Sequence, residues 1–266
     1  MLFRSLTVAP PCSLTQTPHI ASVVNGGSFL PAISPNGMIT IQGSGFQAAG
    51  QTYIAGAADF VNSAFPPWLS CVAVEVGGMR VPITFTSAGQ INAQAPASMQ
   101  SGSVPVQAIL NPGTANAVFS NVFTAQAQDL APAFFTFDGK SIAARNALTA
   151  AIVADPSLGI PGSVTLKPGD YVSLFAMGFG ATDPVVLEGQ VDAGLASVVA
   201  AFTVSIGGVT VPASGVLYGG LSPGSISGLY QFNVQVPASL ADGNQPVVIA
   251  ISGQTTQSGT TVAVKH

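Results

Sequence analysis

The chain has 266 residues, room for two domains of ordinary size, and only 6% of them are charged, against roughly 25% in an average soluble protein. A net charge of −4 without a basic cluster argues against nucleic acid and anionic lipid as partners. Hydrophobic residues make up 48%, yet no run approaches the roughly 20 apolar residues of a membrane helix, so no membrane insertion is expected.

In chain order, residues 1–18 are proline-rich and read as tail or linker, with 6–9 as a candidate last strand of a lost upstream domain. No secretory signal is visible: Met1 to Ser5 leads into a segment too short and too Pro-rich for an apolar signal core. Leu2 to Ser5 is also what a codon run ending common sequencing adapters encodes, so the expectation is a truncated start.

The first unit spans 19–128, with strands expected at 38–42, 72–76, 81–85, 90–95, 104–109 and 118–125. The second spans 130–266, with strands expected at 149–154, 171–176, 201–206, 209–213, 230–236, 246–251 and 260–264. Each run is short, rich in β-branched or aromatic residues, and bounded by Gly, Pro, Asn or Ser. Residues 141–153 are Ala-rich and could be helical, but lack a clean 3.6-residue spacing; their second half is read as strand.

Three blocks recur in the same order. Residues 34–46 (SPNGMITIQGSGF) return as 167–179 (KPGDYVSLFAMGF), 72–82 (VAVEVGGMRVP) as 202–212 (FTVSIGGVTVP), and 91–96 (INAQAP) as 232–237 (FNVQVP). Repetition with drift confined to the loops marks a tandem pair of one folded unit. Val72, Val74 and Val76 alternate with Ala73 and Glu75, the period of a half-buried strand, and Gly77-Gly78 and Gly207-Gly208 supply tight hairpin turns. Phe46 and Phe179, each following a strand and a glycine, are expected to plug the ends of their units. Fold class is therefore all-β: two tandem immunoglobulin-like β-sandwiches joined near Asp129 to Pro132. The short linker, with little apolar sequence, predicts a semi-rigid rod whose halves unfold separately.

Residues 22–29 (SVVNGGSF), 166–180 (LKPGDYVSLFAMGFG), 205–212 (SIGGVTVP) and 228–237 (GLYQFNVQVP) resemble the Solibacter-type uncharacterised C-terminal domain of large secreted acidobacterial proteins. The Pro-Gly-x-x-Val-x-Leu-x-x-x-Gly-Phe pattern is similar to the IPT/TIG branch of immunoglobulin-like domains. Asn36 departs from that pattern, which has glycine there, and Gly37 follows one place late. The resemblance implies a secreted or cell-surface setting and supplies no catalytic residues.

Candidate chemistry is sparse. The chain has two histidines, His19 in a linker and His266 as the final residue, and no Gly-x-Ser-x-Gly elbow. Gly43-Ser44-Gly45 lacks the spacing of a nucleophile elbow and recurs as Ala176-Met177-Gly178, so a serine hydrolase is disfavoured and no enzyme is expected. Asp183, Glu188 and Asp192 form the densest acidic group, either a weak calcium site or a solvated loop; without the regular spacing of a calcium loop, no metal and no cofactor are expected. The amides Gln90, Asn92 and Gln94, echoed by Gln231, Asn233 and Gln235, could meet sugar hydroxyls or form a solvent-facing or inter-domain surface. Trp68, with Tyr53 and Phe65 in the long first-unit loop, either stacks on carbohydrate or caps the sandwich end. Cys12 and Cys71 are either one disulfide, adding roughly 3–4 kcal/mol in the entropic picture, or two unrelated thiols. The expected function is a non-catalytic extracellular structural, adhesion or protein-interaction module from a larger secreted protein. The alternative is a carbohydrate-binding accessory module, so the partner is an extracellular protein or a glycan.

Overall fold

The computed structural model describes residues 12–191 and 194–266. The candidate strand at 6–9 and Asp192 lie outside the described residues. The protein is all-β, two sandwiches in tandem, each built of two sheets closing on its own apolar core.

In the first repeat one sheet runs His19–Asn25, Met38–Ser44, Gln90–Gln94, Ile83–Ser87, Thr52–Ile54; the facing sheet runs Ala32–Ile33, Phe123–Ala127, Gly102–Leu110, Val72–Val76, Trp68–Leu69. Val72, Val74 and Val76 enter the core with Ile41, Ile91, Val106 and Ala108. The second repeat places its matched blocks at the same sheet positions. Tyr171–Met177 pairs with Tyr230–Gln235, and Phe202–Ile206 with Gly243–Ile251, as Met38–Ser44 pairs with Gln90–Gln94 and Val72–Val76 with Gly102–Leu110. The repeated blocks of the sequence are thus repeated positions in two sheets. Gly77 and Gly78 have φ of 60° and 79°, Gly207 and Gly208 of 61° and 77°, and both pairs close two-residue hairpins. Phe46 and Phe179 are fully buried, the latter against Tyr230 and Phe232 at centroid distances of 5.7 and 4.6 Å.

Several elements differ from the expectation, each for a local reason. The strand expected at 81–85 starts at Ile83, because Val81-Pro82 carries the chain from one sheet to the other. Its counterpart at 209–213 ends at Thr210, and Pro212 leads into the 3-10 turn Ala213–Gly215. The strand Val216–Leu221 was hidden by its two glycines; a Cβ on Gly219 would strike the Phe202 ring. The run 118–125 splits into Val118–Phe119 and Phe123–Ala127 because Asn121 leaves the sheet. The 141–153 stretch holds the strands Ala144–Asn146 and Ile152–Val153. His19 opens a strand paired with Met38–Ser44 instead of lying in a linker.

The role of Asn121 is one the sequence reading missed. Its amide takes the place of a neighbouring strand, accepting from Ile20 N at 2.8 Å and donating to Ile20 O at 3.0 Å. Gln257 does the same to Phe134, with both bonds at 2.9 Å. Ile20 and Phe134 occupy matched places, opposite Gly43 and Ala176 respectively. A third clamp, Asn111 on both backbone groups of Leu14, fixes the entering segment, which therefore is no loose tail over residues 12–18. Cys12 and Cys71 are disulfide-bonded, with Cα atoms 5.5 Å apart.

Candidate ligand face and repeat junction

Trp68 is positioned by a hairpin of unusual chemistry. Trp68–Leu69 turns through Ser70 and Cys71, both left-handed without being glycine (φ 47° and 66°), into Val72–Val76. Such a turn persists only where its surroundings over-determine it. Gln47 Nε2 donates to Ser70 O at 2.8 Å, Asn111 N donates to Cys71 O at 2.8 Å, and Cys71 is bonded to Cys12. Leu69 enters the core, so its neighbour Trp68 lies on the outer face of the sheet. Register places four residues in one row across that face: Trp68 beside Ala73, Ala73 beside Ile109, Ile109 beside Phe119. The inner two are fully buried, while Trp68 and Phe119 are 54% and 55% exposed. Two residues along the strands, Gln107, Glu75 and Arg80 form a parallel polar row, with Arg80 Nε donating to Glu75 Oε1 at 2.9 Å. Gln107 Nε2 donates to Ser120 O.

The expected aromatic trio is not brought together. Tyr53 lies on Thr52–Ile54, the edge of the opposite sheet, its hydroxyl 3.4 Å from Gln51 Oε1. Phe65 packs on Phe60 at 4.6 Å in a hairpin that reaches the second repeat, where Phe65 N donates to Gly189 O at 2.8 Å. Trp68 does not cap a sandwich end; it stands at the sheet edge. Phe119, its partner in the row, was missed. The register that sets 118–119 beside 109–110 puts this aromatic on the outer face, and it is not readable from one short apolar pair.

The amide row divides. Gln90 and Asn92 bond each other at 2.8 Å on the outer side of their sheet, whereas Gln94 is buried at the junction between repeats. Its Nε2 lies within bonding distance of Asn36 O (3.0 Å), Asn36 Oδ1 (2.9 Å) and Ser227 Oγ (3.0 Å), and its Oε1 accepts from Gly189 N at 2.7 Å. Asn36 Nδ2 reaches the carbonyls of Val186 and Ser227. Asn36 has φ +58°, the left-handed conformation that its counterpart Gly169 also adopts, and adds an amide that bonds the second repeat. Glu188 Oε2 accepts from Ala97 N at 3.3 Å, again across the junction. Asp183 is exposed. Among the described residues no three His, Cys, Asp or Glu side chains gather as a metal site.

Ionisation follows local hydrogen bonding. The Ser141 amide, with that of Lys140, holds Asp138 below the usual carboxylate range; Ser157 does so for Asp155, and His266 for Asp242. Burial pushes the Tyr230 phenol well up, and its hydroxyl donates to Gly180 O. His266 Nδ1 lies 2.6 Å from Asp242 Oδ1, at the surface.

No family model matches the chain, and no curated protein matches it. Among solved structures it is similar to SGBP-B of a Bacteroides ovatus mixed-linkage glucan utilization locus, in complex with a mixed-linkage heptasaccharide: TM-score 0.36, 13% identity, 88% of this chain and 43% of that one. The chain thus spans less than half the length of that protein. It is also similar to the C-terminal domain of the Streptococcus pyogenes antigen I/II-family protein AspA (TM-score 0.23, 11% identity, 96% and 100% covered). The Streptococcus agalactiae BspA C-terminal domain gives a TM-score of 0.23 at 12% identity, with 91% and 96% covered. TM-scores this low carry nothing about ligand or partner. No helix among the described residues is long and apolar enough to cross a membrane.

Proposed function

We propose that the chain is a non-catalytic binding module of a secreted or cell-surface protein, a stiff pair of immunoglobulin-like repeats belonging to a larger polypeptide. The observation that carries this reading is the repeat junction. Gln94, buried and bonded on both sides, ties the sandwiches together. A unit locked in this way keeps its outer faces at fixed separation, which is what a presenting or adhesive module needs. The Cys12–Cys71 bond supports an oxidising compartment, and the resemblance to secreted acidobacterial domains and to IPT/TIG domains points the same way.

The test pairs location with inactivity. Recovery of the full gene is expected to show an export signal and further domains in frame with this chain. Purified protein is expected to show no turnover of ester or glycoside substrates. Reproducible hydrolysis that survives repurification would overturn the reading.

A further inference from the structure

Resting on the reading of the chain as an exported binding module, we infer that the outer face of the first repeat's Trp68-bearing sheet is a binding site for a neutral polysaccharide chain. Trp68 and Phe119, the exposed ends of the row, seat the apolar faces of its sugar rings, and the row of Gln107, Glu75 and Arg80 meets their hydroxyls.

Four observations carry this. First, the two aromatics are the exposed members of a row whose centre is fully buried, so the face presents two apolar platforms instead of a pocket. Their backbones stand three strand spacings apart, about 14 Å, which suits an extended oligosaccharide better than one sugar. Second, the polar row runs parallel at about 7 Å along the strands, on the same side of the sheet. Its groups are planar and partly committed: Arg80 Nε to Glu75, and Gln107 Nε2 to Ser120 O. The second Glu75 oxygen, the Arg80 amino groups and Gln107 Oε1 remain to receive a ligand, a mixture of donors and acceptors that matches hydroxyls. Third, the two rows, among the described residues, carry one cation paired with one anion, Arg80 with Glu75, and this balance favours an uncharged polysaccharide over an acidic one. Fourth, the exposed apolar area of the row is small. Two aromatic side chains of about 150–250 Å² each, half exposed, offer far less than the roughly 800 Å² per partner of a stable protein interface.

The chain's single tryptophan is Trp68, so the site carries its own reporter. With the disulfide-intact protein, Trp fluorescence would be titrated with cellohexaose, xylohexaose and mannohexaose, and native gels would be cast with hydroxyethyl cellulose, xylan or glucomannan, with polygalacturonate as the charged control. A saturable shift with at least one neutral ligand is expected, with matching gel retardation and none on polygalacturonate. Trp68→Ala is expected to abolish retardation, Phe119→Ala to weaken binding about tenfold or more, and Arg80→Ala to weaken it less. Tyr53→Ala, on the opposite sheet, is expected to leave it unchanged. Circular dichroism of each variant separates lost binding from lost fold, and Phe119→Leu keeps an apolar side chain in place should the alanine variant fold poorly.

Absence of any shift and any retardation across the panel would overturn the glycan assignment while leaving the non-catalytic module reading standing. Binding indifferent to Phe119→Ala and Arg80→Ala would place the ligand elsewhere and overturn it. Concentration-dependent self-association removed by Trp68→Ala would make the face a protein contact, which also overturns it. Release of reducing ends would instead sink the non-catalytic reading.

Discussion

The turn that opens the strand Met38–Ser44 is Ser34-Pro35-Asn36-Gly37, and the turn that opens its counterpart Tyr171–Met177 is Lys167-Pro168-Gly169-Asp170. In both, a glutamine from the adjacent strand donates to the carbonyl of the turn's third residue: Gln94 to Asn36 O at 3.0 Å, Gln235 to Gly169 O at 3.3 Å. In both, that third residue has left-handed φ, +58° for Asn36 and +90° for Gly169. Yet repeat one's turn is roofed by Gly189 and Ser227 of the other sandwich, whereas Lys167 and Gly169 of repeat two are open to solvent. There the turn carries charge, and Asp170 Oδ2 accepts from Lys167 N at 2.9 Å.

Burial, and not the turn itself, decides what these residues must be. A lysine in place of Ser34, which is fully buried, would carry its charge into the junction, and a Cβ on Gly37 would lie 2.8 Å from Ser34 Oγ. Repeat two keeps both charged residues because water reaches them.

The largest expected effect tests whether the two cores are equivalent. Phe46→Ala and Phe179→Ala each remove a fully buried ring, at about 3–5 kcal/mol, a large share of the roughly 5–15 kcal/mol that holds a domain folded. Calorimetry together with Trp68 fluorescence, which reports repeat one alone, would follow both. The sequence predicted halves that unfold separately because the linker is poor in apolar residues, but the repeats are joined by polar contacts: Gln94 and Asn36 bond residues of the second repeat, and Asn25 Nδ2 of the first donates to Ala131 O of the linker at 2.9 Å. Phe179→Ala is therefore expected to lower the Trp68 transition as well; a Trp68 transition left at its original temperature would mean that the junction transmits nothing.

The next effect belongs to repeat one alone, since both cysteines of the chain lie there. Reduction, or Cys12→Ser with Cys71→Ser, opens a link across 59 residues and is expected to cost roughly 2–4 kcal/mol. Because Cys71 sits in the left-handed turn that holds Trp68, the Trp68 emission is expected to change below the melting range too. Unchanged emission and stability would make the bond incidental.

Smaller again is the amide pair. Gln94→Ala leaves the Gly189 amide and the Ser227 hydroxyl without this partner in a buried place, at about 1–3 kcal/mol. Gln235→Ala, at a partly exposed position, is expected to cost less than about 0.5 kcal/mol. Equal losses in urea titration would break the distinction between covered and open turns.

Much of this was legible beforehand. Alternation at Val72 to Val76, the double glycines and the repeated blocks mark the sheets because each is a local rule with a fixed period. Asn36 was visible as a departure, and so was the exchange of Ser34 and Gly37 for Lys167 and Asp170, yet their meaning depends on which surface meets them. Gln94 and Gln235 look identical in sequence; only the second sandwich separates them. The clamps at Asn121 and Gln257 and the Trp68–Phe119 row were out of reach for the same reason, since each joins residues whose proximity is set by long-range register.

The smallest expected effect is acid sensitivity, and it too should divide the repeats. Asp138, Asp155 and Asp242, the carboxyls held below their ordinary value, all lie in repeat two. A carboxyl with a lowered folded-state pKa contributes stability that is present above its unfolded value, about 3.9 for Asp, and is lost as pH falls through the folded value. The window is therefore below about pH 4, and these three groups add no slope between neutral pH and that point. All three are at the surface, so solvent screening keeps the loss small. Asp138, held mainly by backbone amides of the turn at Ser141 and Lys140, is the one whose loss can be isolated. Asp138→Asn is expected to flatten the fall below about pH 4 in calorimetry, at the expense of a slight loss of stability at neutral pH. Earlier acid loss at the Trp68 transition than in the whole protein would place the sensitive groups in repeat one and reverse the assignment.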